Sequence, residues 1–241
     1  MGVNDGLTYL LKLPAIYLWP VFLLENVLIT VLVLWSGRLI QQRFSPQPGS
    51  PYLYSRKEWL ICGLTNVLNT IITYIGYWLW KNGFIGISTD VSGFILIDFL
   101  ILFLAMDLLM YVFHYIIHKT WLYKAIHGLH HEAVNPKPID LFILHPLETI
   151  SFGGLWLVLL LLSTFNIYAI VIYLMINVLF GMIGHLGMEP LSATLRNKPF
   201  LKYLGTSSFH HQHHQDISYN FGFYTSIWDR LFGTYKAEKY S

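Results

Sequence analysis

Four blocks of this sequence are too long and too apolar for a fold solvated on all sides. Residues 14–37 (PAIYLWPVFLLENVLITVLVLWSG), 58–80 and 93–118 each supply about 20 mostly apolar residues, the length a helix needs to cross the hydrocarbon of a bilayer. The fourth block, 151–184, is broken near Asn166. It is longer than one span and too short for two full ones, so it reads as a tight apolar helical hairpin. Lipid offers backbone N–H and C=O groups no partners, which restricts such segments to helices. Only 12% of the residues are charged, against about 25% in an average soluble domain. The expected fold is therefore an all-α integral membrane protein with three long transmembrane helices, the hairpin and a helical cap. It is one membrane domain over 1–241, with residues 1–92 as an N-terminal transmembrane hairpin and "SPQPGSP" at 45–51 as a loop, not a domain border. Cys62, the single cysteine, excludes an intrachain disulfide and a thiolate metal site.

Charge sets the expected orientation. Arg38, Arg43, Arg56 and Lys57 lie between the first two spans, whereas the next connection holds only Lys81 with Asp90. Lys119, Lys124 and Lys137 follow the third span, and Arg196, Lys198, Lys202, Arg230, Lys236 and Lys239 follow the hairpin. The positive-inside rule then places the N-terminus outside and everything after the third span on the cytosolic side. A net charge of +2 without a basic, aromatic-interleaved run argues against nucleic acid as a partner. The C-terminal "KAEKYS" lacks a dilysine retrieval signal, which favours a bacterial inner membrane over an endoplasmic reticulum.

All eleven histidines fall on that inner side, and none precedes residue 114. "HYIIH" sets His114 and His118 at i and i+4. "HGLHH" sets His127, His130 and His131 at i, i+3 and i+4, and "HHQHH" repeats that spacing with His210, His213 and His214. On a helix such residues share a face, so each cluster is expected to aim its nitrogens at one point. Neutral imidazole suits iron, zinc, copper or nickel, and eight ligands of one kind exceed what one ion uses. Two ions with open positions match the count. A haem-binding electron carrier would use only two to four of these histidines. A metal transporter would place ligands near the bilayer midplane. Asp107, Tyr111, His114 and His118 share one helical stripe, which offers the Asp107 carboxylate as a partner for His114 or a neighbouring imidazole. Asn220, Glu148, Asp216 and Asp229 are weaker candidates of the same kind. Glu25, Asn66 and Asn69 read as interhelical hydrogen-bonding groups.

The order HxxxH, HxxHH, "HPLE", the lone histidine of "GHLGME", then HHxHH followed by "NFGFYTSIWDRLFGT" resembles the fatty acid hydroxylase/sterol desaturase superfamily of membrane di-iron enzymes. The similarity covers roughly residues 100–236 and marks 93–236 as a fatty acid hydroxylase-like catalytic region. The resemblance implies metal ligation by His114, His118, His127, His130, His131, His210, His213 and His214, with His185 as an extra ligand and His145 and His211 as further candidates. It implies two iron ions (zinc substituting on purification), O2, and hydroxylation or desaturation of a lipid C–H position. The substrate would be a sterol, sphingoid, fatty acyl or ether lipid drawn from the bilayer. The chain has no GxGxxG and no HPGG. An external donor is expected instead, such as cytochrome b5 or ferredoxin with an NAD(P)H reductase, and a pterin donor remains open.

Overall fold

The computed structural model describes residues 3–44 and 53–237, so the proposed 45–51 loop lies outside the described residues. A short helix α1 (Val3–Lys12) leads into α2 (Ala15–Phe44), α3 (Arg56–Lys81) and, after a two-residue strand β1 (Ile87–Ser88), α4 (Phe94–Lys119). Helix α5 (Pro146–Leu161), strand β2 (Phe165–Asn166) and α6 (Ile167–Gly184) form the hairpin. Three short helices follow: α7 (Ala193–Arg196), α8 (Ser207–Gln215) and α9 (Ile227–Leu231). Among the described residues, α2, α3, α4 and α6 are long and apolar enough to cross a membrane. The chain is an all-α, multi-pass membrane protein.

Local chemistry sets the helix ends. Ser55 and Glu58 close a reciprocal capping box at the start of α3. Pro146 occupies the first turn of α5, where its missing N–H costs nothing. Asn166 caps α6 by accepting from the Tyr168 N–H. The buried side of α2 meets α3 through Thr30, whose hydroxyl donates to Asn66 Oδ1 at 3.0 Å. Of the three polar residues read as interhelical groups, Asn66 makes such a bond. The central core joins Leu102, Met106 and Met110 of α4 to Leu159 and Leu160 of α5 and Ala169, Ile170 and Tyr173 of α6. Helices α3 and α5 approach closely at Gly153, where a Cβ would stand 2.4 Å from Ile72 Cδ1. Large apolar side chains face outward along all the long helices, for example Leu24, Leu64, Leu100 and Met175.

The bundle has two unlike ends. At one, α4 and α6 finish and α5 begins, and residues 120–145 and 185–237 build a cap. Here Gln41 donates to the Leu186 carbonyl at 2.6 Å, and Lys137 pairs with Glu58 at 2.9 Å. The end of α2 and the start of α3 therefore share this end with the cap. At the other end β1 pairs in parallel with β2, Ile87 with Phe165 and Ser88 with Asn166. Asn166 also donates to the Asp90 carbonyl at 2.7 Å, and its N–H to Asp98 Oδ2 at 2.8 Å. The hairpin turn thus reaches the level of the α3–α4 connection. Its two arms, 16 and 18 residues long, extend about 24 and 27 Å.

Candidate metal centre

Nine of the eleven histidines converge inside the cap. His114 and His118 come from the last turns of α4, and His185 follows the end of α6. His210, His213 and His214 lie on α8. The middle cluster is not α-helical: His127 ends a π-turn (Tyr123–His127), and His130 and His131 open a 3-10 turn (His130–Glu132). The π-turn is wider and the 3-10 turn tighter than an α-helix, and the change of pitch between them turns three rings within five residues inward.

The nitrogens form two groups. His114, His118, His127, His131 and His213 make one, and His130, His185, His210 and His214 the other; within each, one nitrogen per ring lies within 4.8 Å of all the rest. The groups share a wall, where the His131 and His214 rings stack at 4.5 Å. The sequence clusters do not map one to one onto these groups. In "HGLHH" and "HHQHH" the i,i+4 pair stays together, while the i+3 member, His130 or His213, crosses to the other group. The expectation that each cluster aims at one point is corrected accordingly. A face spanning three and four residues is about 100° wide at its edges, and the two groups are close enough for one short segment to serve both.

Backbone carbonyls fix the ring orientations. Nδ1 of His114 donates to Phe221 O at 2.8 Å, His185 to Gly181 O at 2.8 Å, His213 to Tyr219 O at 2.7 Å and His130 to Ile143 O at 3.4 Å. A carbonyl only accepts, so the hydrogen is on Nδ1 and the lone pair on Nε2. The consequence is clearest for His130 and His185. Their Nε2 atoms face each other at 3.3 Å with a lone pair on each and no hydrogen between them. His213 Nε2 is buried with no hydrogen-bond partner among the described residues. Converging, unprotonated, buried nitrogens are the arrangement that a cation resolves. Two nitrogens each about 2.0–2.1 Å from a shared ion, at right to tetrahedral angles, stand roughly 2.8–3.4 Å apart. The observed Nε2 contacts of 3.0–3.3 Å, such as His114 to His127 and His210 to His185, fall in that interval.

Electrostatics agree with the geometry. Burial, reinforced by neighbouring imidazoles, holds His127, His131, His210, His213 and His214 well below the usual imidazole range. Burial likewise takes His130 to about 4 and His185 to about 3. All are neutral at physiological pH, the form that ligates metal. One carboxylate reaches the centre: Glu148 Oε1 accepts from His127 Nδ1 at 2.6 Å, with both side chains almost fully buried, while its Oε2 has no partner among the described residues. A buried carboxylate behind an imidazole needs a positive charge in front of it, and a bound cation supplies one.

The other candidates lie elsewhere. Asp107 contacts no histidine: it accepts from the backbone N–H groups of Tyr224 and Thr225 at 3.0 and 3.1 Å, from Thr225 Oγ1 at 2.5 Å and from Trp228 Nε1 at 3.0 Å. The shared stripe with His114 is real, but the C-terminal segment reaches Asp107 first and saturates it. Tyr111 pairs its hydroxyl with Thr234 Oγ1 at 3.0 Å, not with the centre. Asn220 adopts φ 59° and exchanges hydrogen bonds with the Lys236 backbone. Asp229 accepts the Phe221 and Gly222 N–H groups at 2.8 Å each. Gly222 has no room for a side chain, since a Cβ would lie 2.2 Å from Thr225 O. These residues shape the 219–226 segment, whose Tyr219 and Phe221 carbonyls aim His213 and His114. Asp216 pairs with Lys236 at 2.6 Å on the cap surface. His145 caps α5 by accepting from the Leu147 N–H, and His211 meets Asn135 at 3.0 Å. Neither belongs to a nitrogen group. The orienting carbonyls left no mark in the sequence, because every residue has one. Tyr123, whose ring lies 5.0 Å from that of His118, was also missed.

Comparison with known proteins agrees with this architecture. The fatty acid hydroxylase family model matches residues 99–234. A cholesterol 25-hydroxylase-like protein of Danio rerio is 28% identical over 165 residues, 67% of this chain and 64% of its own length. Methylsterol monooxygenase 2-2 of Arabidopsis thaliana is 31% identical over 151 residues, 61% of this chain and 54% of that protein. A very-long-chain aldehyde decarbonylase of Oryza sativa is 31% identical over 138 residues, 56% of this chain and 50% of that protein. The chain thus spans about half to just under two thirds of the length of these three relatives. No solved structure matches it. The matched interval begins in α4, ends beyond α9 and contains all nine converging histidines, so the chain belongs to the fatty acid hydroxylase family.

Proposed function

We propose that the protein is a membrane-bound, O2-dependent non-haem di-iron oxygenase that hydroxylates or desaturates a lipid C–H position. The observation that carries this is the pair of adjacent, buried, all-imidazole nitrogen groups at one end of an apolar helical bundle. His114, His118, His127, His131 and His213 would hold one ion, and His130, His185, His210 and His214 the other. Imidazole is a good donor set for iron. When bound, the two irons supply O2 activation at a C–H bond that no protein side chain can attack.

The chain's own residues do the rest. The carbonyls of Ile143, Gly181, Tyr219 and Phe221, with Glu148, hold five rings with Nε2 turned inward. Burial keeps the rings neutral and excludes water, which protects the oxidation from side reactions. The outward apolar faces of the bundle keep a lipid substrate in reach of the cap. Residues 1–92 act as a membrane anchor and 93–236 as the catalytic region, with the centre on the cytosolic face, where a cytochrome b5- or ferredoxin-type donor delivers electrons. The relatives named above are all eukaryotic and lend no weight to a bacterial membrane.

The reading also accounts for the histidine count, which a haem carrier leaves largely unused. Purified protein should carry two non-haem irons per chain and show no Soret band. Lipids of cells expressing it should gain one oxygen or lose two hydrogens relative to cells expressing a His130→Ala variant. A metal-free protein, or identical lipidomes, would overturn the proposal.

A further inference from the structure

Glu25 is a carboxyl inside a membrane span, exposed at the edge of the face that its own helix buries. The buried side of α2 (Leu18, Phe22, Thr30, Val33 and Gly37) packs against α3, α6 and the Pro138–Phe142 turn. Glu25 lies at the flank of that side, three residues from buried Phe22, yet is itself exposed, and no described residue bonds or pairs with it. Its neighbour Asn26 spends its amide on the Phe22 carbonyl at 2.8 Å. The surrounding stripe is apolar and open, with Val21, Leu24, Leu28, Leu32 and Trp35 between 49% and 60% exposed.

Depth makes this costly. Trp19 stacks on Tyr74 close to where α3 ends in Trp78 and Lys81, an aromatic girdle of the kind that marks a membrane interface. Glu25 is six residues deeper, about 9 Å along the helix, and thirteen residues, about 20 Å, from Arg38 at the other end. A two-carbon stem reaches neither interface. Ionisable groups at such positions are expensive unless a partner satisfies them, and lipid offers none.

We propose that the outer stripe of α2 is the contact between two copies of this chain, with Glu25 of each hydrogen-bonding to the same residue of the other across a two-fold axis. A carboxylic acid is donor and acceptor at once, so it is complementary to itself. A two-fold axis brings identical patches together, which is the one arrangement in which Glu25 supplies its own partner. A different helix would have to bring a basic or amide group to that depth. Nothing else on the stripe from Val21 to Trp35 would bind it, because the remaining exposed side chains there are apolar. The stripe runs 14 residues, about 21 Å, long enough for a helix pair in the bilayer.

The full chain in lipid nanodiscs tests this. Subunit counting by photobleaching of fluorescent-protein fusions should give two copies for the wild type and for Glu25→Gln, which keeps a donor and an acceptor. Glu25→Leu should raise the dissociation constant roughly three- to twenty-fold, the loss of an interhelical hydrogen bond. Its metal content should stay unchanged, since Glu25 is remote from the histidines. Leu28→Cys with Cys62→Ser should form a disulfide between copies, whereas Val112→Cys, exposed on α4, should not. A wild-type monomer, a dimer indifferent to Glu25→Leu, or equal crosslinking through residue 112 would each overturn the proposal.

Discussion

Glu148→Gln separates the metal's needs from the fold's. The carboxylate is 2.6 Å from His127 Nδ1, with 3% and 1% of the two side chains exposed. A hydrogen bond to a charged group contributes about 1.5–3 kcal/mol net, and a neutral one about 0.5–1.5. The amide oxygen of Gln can still accept from Nδ1, so ring orientation survives and the charge alone is removed. The expected loss is about 1–2 kcal/mol of metal binding, roughly 5- to 30-fold, overlapping the lower part of the 10–100-fold typical of residues that support metal-bound histidines. The metal-free protein should behave oppositely. There burial pushes the Glu148 carboxyl up to about 8, so near pH 7 it is mostly neutral already, its Oε2 has no partner among the described residues, and the neutral amide takes no charge away. Its thermal midpoint should hold or rise. The assay is metal retention against graded chelator beside thermal unfolding of stripped protein. Unchanged retention, or a stripped protein that loses as much stability as the loaded one, would refute the reasoning.

Other perturbations divide similarly. His130→Ala and His213→Ala should each abolish retention of at least one ion per chain by elemental analysis and leave membrane insertion intact, while His211→Ala and His145→Ala should retain both ions. Asp107→Ala orphans four buried or part-buried donors and should cost roughly 3 kcal/mol or more, seen as a lower thermal midpoint even without metal. Acidification should destabilise the metal-free protein. His130 and His185 have folded-state values near 4 and 3, below the ordinary 6.5, so the unfolded chain binds more protons over that interval. The contribution present above about pH 6.5 is lost as pH falls toward 4, and the thermal midpoint should follow it down.

Much of this was legible in the sequence because lipid and metal impose strong, simple patterns. Spans 14–37, 58–80 and 93–118 needed only length and apolarity, and α2, α3 and α4 lie over them. The nine histidines were legible as a set because few other roles require so many imidazoles at one end of a bundle. Their division was not, since "HGLHH" looks the same whether it continues an α-helix or passes from a π-turn into a 3-10 turn. Asp107 was misread for a related reason. Its helical stripe is a local property, whereas Thr225 and Trp228, more than 110 residues later, decide where its oxygens go. Glu25 likewise gave no sign of which way it faced until α2 had neighbours.

Helix α8 gives His210 and His214 to one nitrogen group and His213 to the other. It is a nine-residue rod, so the separation of the two centres is dictated by the angular step between consecutive residues. A tilt that tightened one coordination sphere would loosen the other. If each group holds an ion as proposed, the distance between the two would be a dimension of the backbone, held as stiffly as helical pitch, and side-chain replacement alone would have little means of retuning it.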